Sequence, residues 1–149
     1  MRRTAAMALW LACLVGLFAC SHAKPPAGRW EGTYDAADVM VAVRLEIDGS
    51  GNVFLSAPDA IDFPAVSDEQ RQAMHARLAR HLTEAWGEVT PRHFEFDGST
   101  FRNPGGFAPQ MEWNAADHQM TAIVYLERRS GIRIPLHAVS SFSANPWPA

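Results

Sequence analysis

Val39-Met40-Val41-Ala42-Val43-Arg44-Leu45-Glu46-Ile47-Asp48-Gly49-Ser50-Gly51-Asn52-Val53 is the stretch that decides the fold of this chain. Val39, Val41, Val43, Leu45 and Ile47 fall on alternate positions, while Arg44, Glu46 and Asp48 take the opposite face. Successive side chains of a strand point to opposite sides, so this spacing predicts a strand with one apolar face. Residues 48–52 tolerate positive φ, and the chain is expected to turn back there into a partner strand at 53–55.

Upstream, Pro25-Pro26 precedes Gly28-Arg29-Trp30-Glu31-Gly32-Thr33-Tyr34, which reads as the entry to a first strand. Downstream, Pro58 and Pro64 bracket an irregular loop, and one long helix follows from about residue 68 to residue 86. Ser67 is a good N-cap, Gln70 stands at capping-box spacing, and Asp68 and Glu69 suit the positive helix end. Met74, Leu78, Leu82 and Ala85, with His81 and Trp86 beside them, make one apolar stripe at helical spacing. Gly87 is a plausible terminator, and the helix spans about 28 Å, long enough to cross a sheet.

The second half returns to strands. Phe94 and Phe96 alternate before a turn at 97–100, Met111 and Trp113 alternate before a turn at 114–118, and 120–126 is apolar on both faces. Ser130-Gly131 turns into Ile132, Ile134, Leu136 and Ala138, and a polar, proline-bearing tail closes the chain. About eight short strands joined by short turns favour an antiparallel meander. The expected fold is therefore α+β: an antiparallel curved sheet, or partly closed β-barrel, with one long helix packed across it between the third and fourth strands. Wrapping the sheet around that helix would shield its edges.

Met1-Arg2-Arg3 leads into an uncharged apolar run from 5 to 19 that ends at Cys20. Two arginines before a short apolar run ending in small residues is the secretory signal pattern. A membrane-spanning helix needs about 20 apolar residues, and Ser21, His22 and Lys24 cut this run short. Leu17-Phe18-Ala19-Cys20 resembles the lipobox of bacterial lipoproteins, a resemblance covering the first twenty or so residues. It implies a signal peptide at 1–19, cleavage before Cys20 and lipid on its sulfur and new amine. Residues 20–28 would then be a tether, 29–140 one globular domain and 141–149 a tail. Ser21, rather than aspartate, after the cysteine resembles an outer-membrane address facing the periplasm. Several acyl chains hold a protein at a bilayer where one does not. An ordinary secretory cut after Ser21-His22-Ala23 is the alternative, and it would discard Cys20.

Loss of Arg2 and Arg3 takes the formal charge from −3 to −5. Nucleic acid demands a basic footprint, so it is not an expected partner. On that reading Cys13 leaves with the leader and Cys20 would be lipidated, so of the two cysteines no thiol would remain for a disulfide, a redox pair or a zinc-thiolate site. Core packing alone must hold the domain.

Gly28-x-Trp30 is similar to the Gly-x-Trp signature of lipocalins and related small barrels. That resemblance implies a tryptophan closing one barrel end and a lumen for a small apolar ligand; the same pair also serves a curved sheet that the indole simply plugs. His75, His81, His93, His118 and His137 lack the three- or four-residue spacing of helical zinc sites, so no metal and no cofactor is expected. Asp35 with Asp38, and Asp59 with Asp62, fall in loop-like stretches where acids form turns. Gly49-Ser50-Gly51 is explained by hairpin geometry, and the chain has no Gly-x-Ser-x-Gly. Catalytic residues are thus not expected. Asn103, Phe107 and Trp147 are candidate partner contacts, because a glycine-rich loop with an aromatic tip suits insertion and Trp is enriched at hot spots; such aromatics also fold back onto their own domain. The sequence favours a non-catalytic module that binds an envelope macromolecule (inhibitor, immunity factor or assembly accessory). A lipocalin-like carrier and a hydrolase with a scattered site are the alternatives.

Overall fold

A computed structural model describes residues 23–148 apart from 37, 59, 63–66 and 127–129. Strands β1 (Gly28–Ala36) and β2 (Val39–Ile47) form a long antiparallel pair, in register from Gly28 opposite Ile47 to Ala36 opposite Val39. The free edge of β2 carries two short strands end to end. β3 (Val53–Ser56) pairs with residues 44–47, and β4 (Ala60–Asp62) with residues 39–41. After helix α1 (Asp68–Trp86) come β5 (Glu95–Phe96), β6 (Thr100–Arg102), β7 (Pro109–Asn114), β8 (Gln119–Val124) and β9 (Ile132–Val139). β9 joins the halves by pairing with β1, so the order is β3-β2-β1-β9-β8-β7-β6-β5, antiparallel throughout.

The sheet curls into an open half-barrel whose ends approach each other. The backbone N–H of Arg92, just before β5, donates to the carbonyl of Val53 in β3 at 2.7 Å. The Asp48 turn that starts β3 is built by its own side chain, which accepts from the amides of Ser50 and Asn52 at 2.8 and 2.9 Å. That satisfies the orphan amides of a tight turn. These bonds, with that from the Asn52 side chain foremost, hold the Asp48 carboxyl below its ordinary range.

The expected curved sheet with a single long helix is observed, and the helix has the expected bounds. Ser67 caps it, and Ser67 and Gln70 form the reciprocal capping box. Two details differ from expectation. The stretch between Pro58 and Pro64 contains β4, since three residues suffice to extend an edge already begun by β3. The sheet also wraps around its own side chains instead of around the helix. Trp30, Val41, Val43, Leu45, Phe101, Met111, Met120, Ile134 and Leu136 pack together on the concave side. α1 lies on the other side of β2, where Leu78, Ala79 and Leu82 meet Met40 and Ala42. The reason is in β2: its second face is polar only from Arg44 onward, and its first half offers the helix an apolar seat.

The tail is part of this outer layer. Phe142 packs edge-on against Trp86 at 4.6 Å, and Trp147, 6% exposed, stacks on His75 at 4.1 Å and joins the helix cluster. Its indole N–H donates to the His75 carbonyl at 3.0 Å.

Candidate functional site

The strand registers give the half-barrel two unlike ends. One end gathers the start of β1, the β2–β3 hairpin, the turn 97–99 and the turn 115–118. Trp30 closes it, buried and edge-on to Trp113 at 6.3 Å, with His118 against Trp113 at 5.9 Å. The indole lies across Gly28, where a Cβ would sit 2.9 Å from Cη2. Only glycine leaves that room.

The opposite end gathers the β1–β2 turn, the loop between β6 and β7, and the start of β9. Asn103-Pro104-Gly105-Gly106 makes a tight turn, closed by the Gly106 amide donating to the Asn103 carbonyl at 2.8 Å. Gly105 takes φ +71°, in the left-handed region that favours glycine. The turn projects Phe107, which is 100% exposed. Tyr125, the other exposed large hydrophobic residue among those described, is 45% exposed and stands nearby. Its hydroxyl donates to the carbonyl of Pro109, two residues beyond Phe107, at 2.8 Å. Arg133 and Glu112 brace the strands below, with Arg133 Nη1 donating to Oε1 at 2.8 Å. The Arg133 hydrogen bonds lead in holding the Glu112 carboxyl below its ordinary range.

Of the three expected contact residues, Asn103 and Phe107 share this rim and Trp147 does not. Trp147 lies within the outer layer, where it serves packing in the state described. Cys20 and the leader lie outside the described residues, as does Asp59.

The side chains that reasoning along the sequence missed are those joining the outer layer. Arg44 and Glu31, each with a 3% exposed side chain, approach to 3.8 Å under the tail. Ser143 donates to Glu31 through its hydroxyl at 2.6 Å and its amide at 3.2 Å. Arg44 donates to the Ser143 carbonyl and to the Thr83 hydroxyl, and its guanidinium lies 5.2 Å from the Phe142 ring centre. Its Nε, 3.8 Å from Glu31 Oε2, has no hydrogen-bond partner among the described residues. Burial pushes the Arg44 pKa down, against the pull of Glu31. Nearer the rim, Asp35 takes Arg71 and His75 together, with His75 Nε2 at 2.7 Å from Oδ2. Glu31 and Arg44 are opposed across the β1–β2 hairpin, 13 residues apart, whereas no spacing in the sequence announces the other contacts, whose partners lie 36 or more residues apart.

An acid–histidine pair is half of a nucleophilic relay. Here His75 also carries the stacked Trp147 on its ring, and Asp35 is shared with Arg71, so the pair binds the tail to the domain. Among the described residues no group of three or more His, Cys, Asp or Glu is placed to hold a metal ion. No helix among them is long and apolar enough to cross a membrane. The space within the sheet is filled by side chains such as Phe101, Met111, Met120 and Ile134, all fully buried. An open groove of about 820 Å³ lies between the β2–β3 hairpin and residues 91–96, with Ala23 and Pro25 also lining it.

Compared with known proteins, the chain matches no family model, no curated protein and no solved structure.

Proposed function

We propose that this protein is a bacterial envelope lipoprotein, anchored through Cys20 to the outer membrane and facing the periplasm, that acts as a non-catalytic macromolecule-binding module. The observation that carries the binding role is Phe107, a phenyl ring left 100% exposed at the end of the glycine-bearing turn 103–106. Burying such a ring in a partner is worth about 2–3 kcal/mol, and Tyr125 beside it adds an amphipathic contact suited to an interface. The filled concave side favours a protein partner over carriage of a small apolar ligand. The envelope address rests on the leader and the lipobox resemblance.

The binding role is tested by crosslinking in the periplasm and capture from solubilised envelopes, comparing wild type with Phe107→Ala. One or a few proteins should be recovered at least tenfold less with the variant, while its unfolding free energy stays within about 0.5 kcal/mol of wild type. Equal recovery of every partner by both proteins would refute the role of this rim. Detergent phase partitioning tests the anchor: wild type should enter the detergent phase and Cys20→Ser should not.

A further inference from the structure

The described chain begins at the tryptophan-closed end. A Cβ on Gly98, in the β5–β6 turn, would stand 3.5 Å from the Ala23 Cβ, and one on Gly51, in the β2–β3 hairpin, 3.7 Å from Pro25. Residues 23–25 therefore run across the mouth closed by Trp30, from one turn of that end to another. Phe107 and Tyr125 lie at the other end of the strands. β2 has nine residues, so about 30 Å of sheet separates the ends.

We infer that the tethered protein stands on its tryptophan-closed end and presents the Phe107–Tyr125 rim away from its own bilayer, to a protein in the aqueous compartment. This rests on the lipoprotein reading above. Between a lipidated Cys20 and Ala23 the chain spans at most about 10 Å, so the end next to Ala23 is held at the headgroups.

The chemistry of the two ends agrees with that posture. The turns of the closed end carry Asp48, Asp97 and Asp117, each occupied in its own turn. Such an end is polar enough to rest at a headgroup layer without entering it. The exposed aromatics are at the rim, where they cannot reach the hydrocarbon of the membrane that holds the tether. A ring kept in water beyond reach of lipid gains only by entering an apolar recess on another protein. The partner so defined stands clear of the bilayer by about the height of the sheet.

The test measures energy transfer on the natural lipidated protein, reconstituted in vesicles that carry an acceptor dye on their headgroups. A genetically encoded azido residue replaces exposed Ala108, beside Phe107, or exposed Ala116, in the closed-end turn, and bears the donor. Transfer from position 116 should exceed that from position 108 at least threefold. Equal transfer from the two, or stronger transfer from 108, overturns the posture. The measurement is repeated on chain from residue 20 onward coupled to a maleimide lipid through Cys20. Natural protein that fails to float with vesicles refutes the lipoprotein reading, while the coupled chain still reports which end lies down.

Discussion

The two sides of β2 are stabilised by different physics. On the concave side the packed core is built of apolar side chains, and Phe101, Met111, Met120 and Ile134 are shut off from water completely. On the convex side Leu78 and Leu82 do the same over Met40 and Ala42, but the layer continues into a buried arginine, a buried glutamate and the chain's tail. Apolar burial is additive and forgiving of detail. A buried ion pair gains little over apolar packing, yet breaking it leaves a bare charge, so it specifies one arrangement more than it stabilises. The concave layer thus holds the domain together, and the convex layer fixes where the tail lies.

That contrast is breakable in graded steps. Phe101→Ala should cost the most, about 4 kcal/mol in urea unfolding; a loss under about 2 kcal/mol would mean the concave layer is not the main support. Arg44→Met should cost about 3 kcal/mol, because Glu31 is left charged under the tail. Adding Glu31→Gln should recover most of that loss, since an amide oxygen still accepts from Ser143. If the double variant is no better than the single one, the cost lies in lost packing against Phe142. Trp147→Ala should cost about 1–2 kcal/mol and act locally. Limited proteolysis should then cleave within residues 140–148 while sheet amides keep their protection from exchange; loss of protection throughout the sheet would merge the two layers into one unit.

The smallest effect belongs to the turn at Asp97. The Thr100 hydroxyl, then Arg102 and two backbone amides, hold its carboxyl well below the carboxylate range. A carboxyl with a depressed folded pKa stabilises above the unfolded value of 3.8 and loses that contribution as pH falls. The difference between wild type and Asp97→Asn should therefore be full at pH 6 and shrink steadily from about pH 4 downward. A difference constant from pH 6 to pH 2 would show that the charge is not what the turn uses.

Local signals were the legible ones. Ser67 and Gln70 mark the helix start because capping is settled within one turn of chain, while Gly87 ends the helix at the expected position but in right-handed backbone, φ −63°, without the left-handed turn that favours glycine. The alternation from Val39 to Ile47 marks β2 for the same reason. The side on which the helix sits was not legible, because Met40 and Ala42 sit among valines and their face looks polar when judged by Arg44 and Glu46. β4 was hidden by having only three residues and by lying between Pro58 and Pro64. The tail read as polar because Phe142 and Trp147 are scattered among small residues, and their partners Trp86 and His75 are remote in sequence. At the rim, Phe107 was visible as an aromatic beside glycines, whereas Tyr125 was not, since its place depends on how β8 lies beside β7.

The bridge between Val53 and Arg92 gives the curl a seam. A single backbone hydrogen bond of this kind contributes about 1 kcal/mol net, far less than the ladders on either side. The half-barrel should therefore behave as a sprung cuff more than a welded ring. Its two lips can part and rejoin while every neighbouring strand pair stays intact, and the Arg92 amide should trade its proton with solvent well before those of β1 or β2.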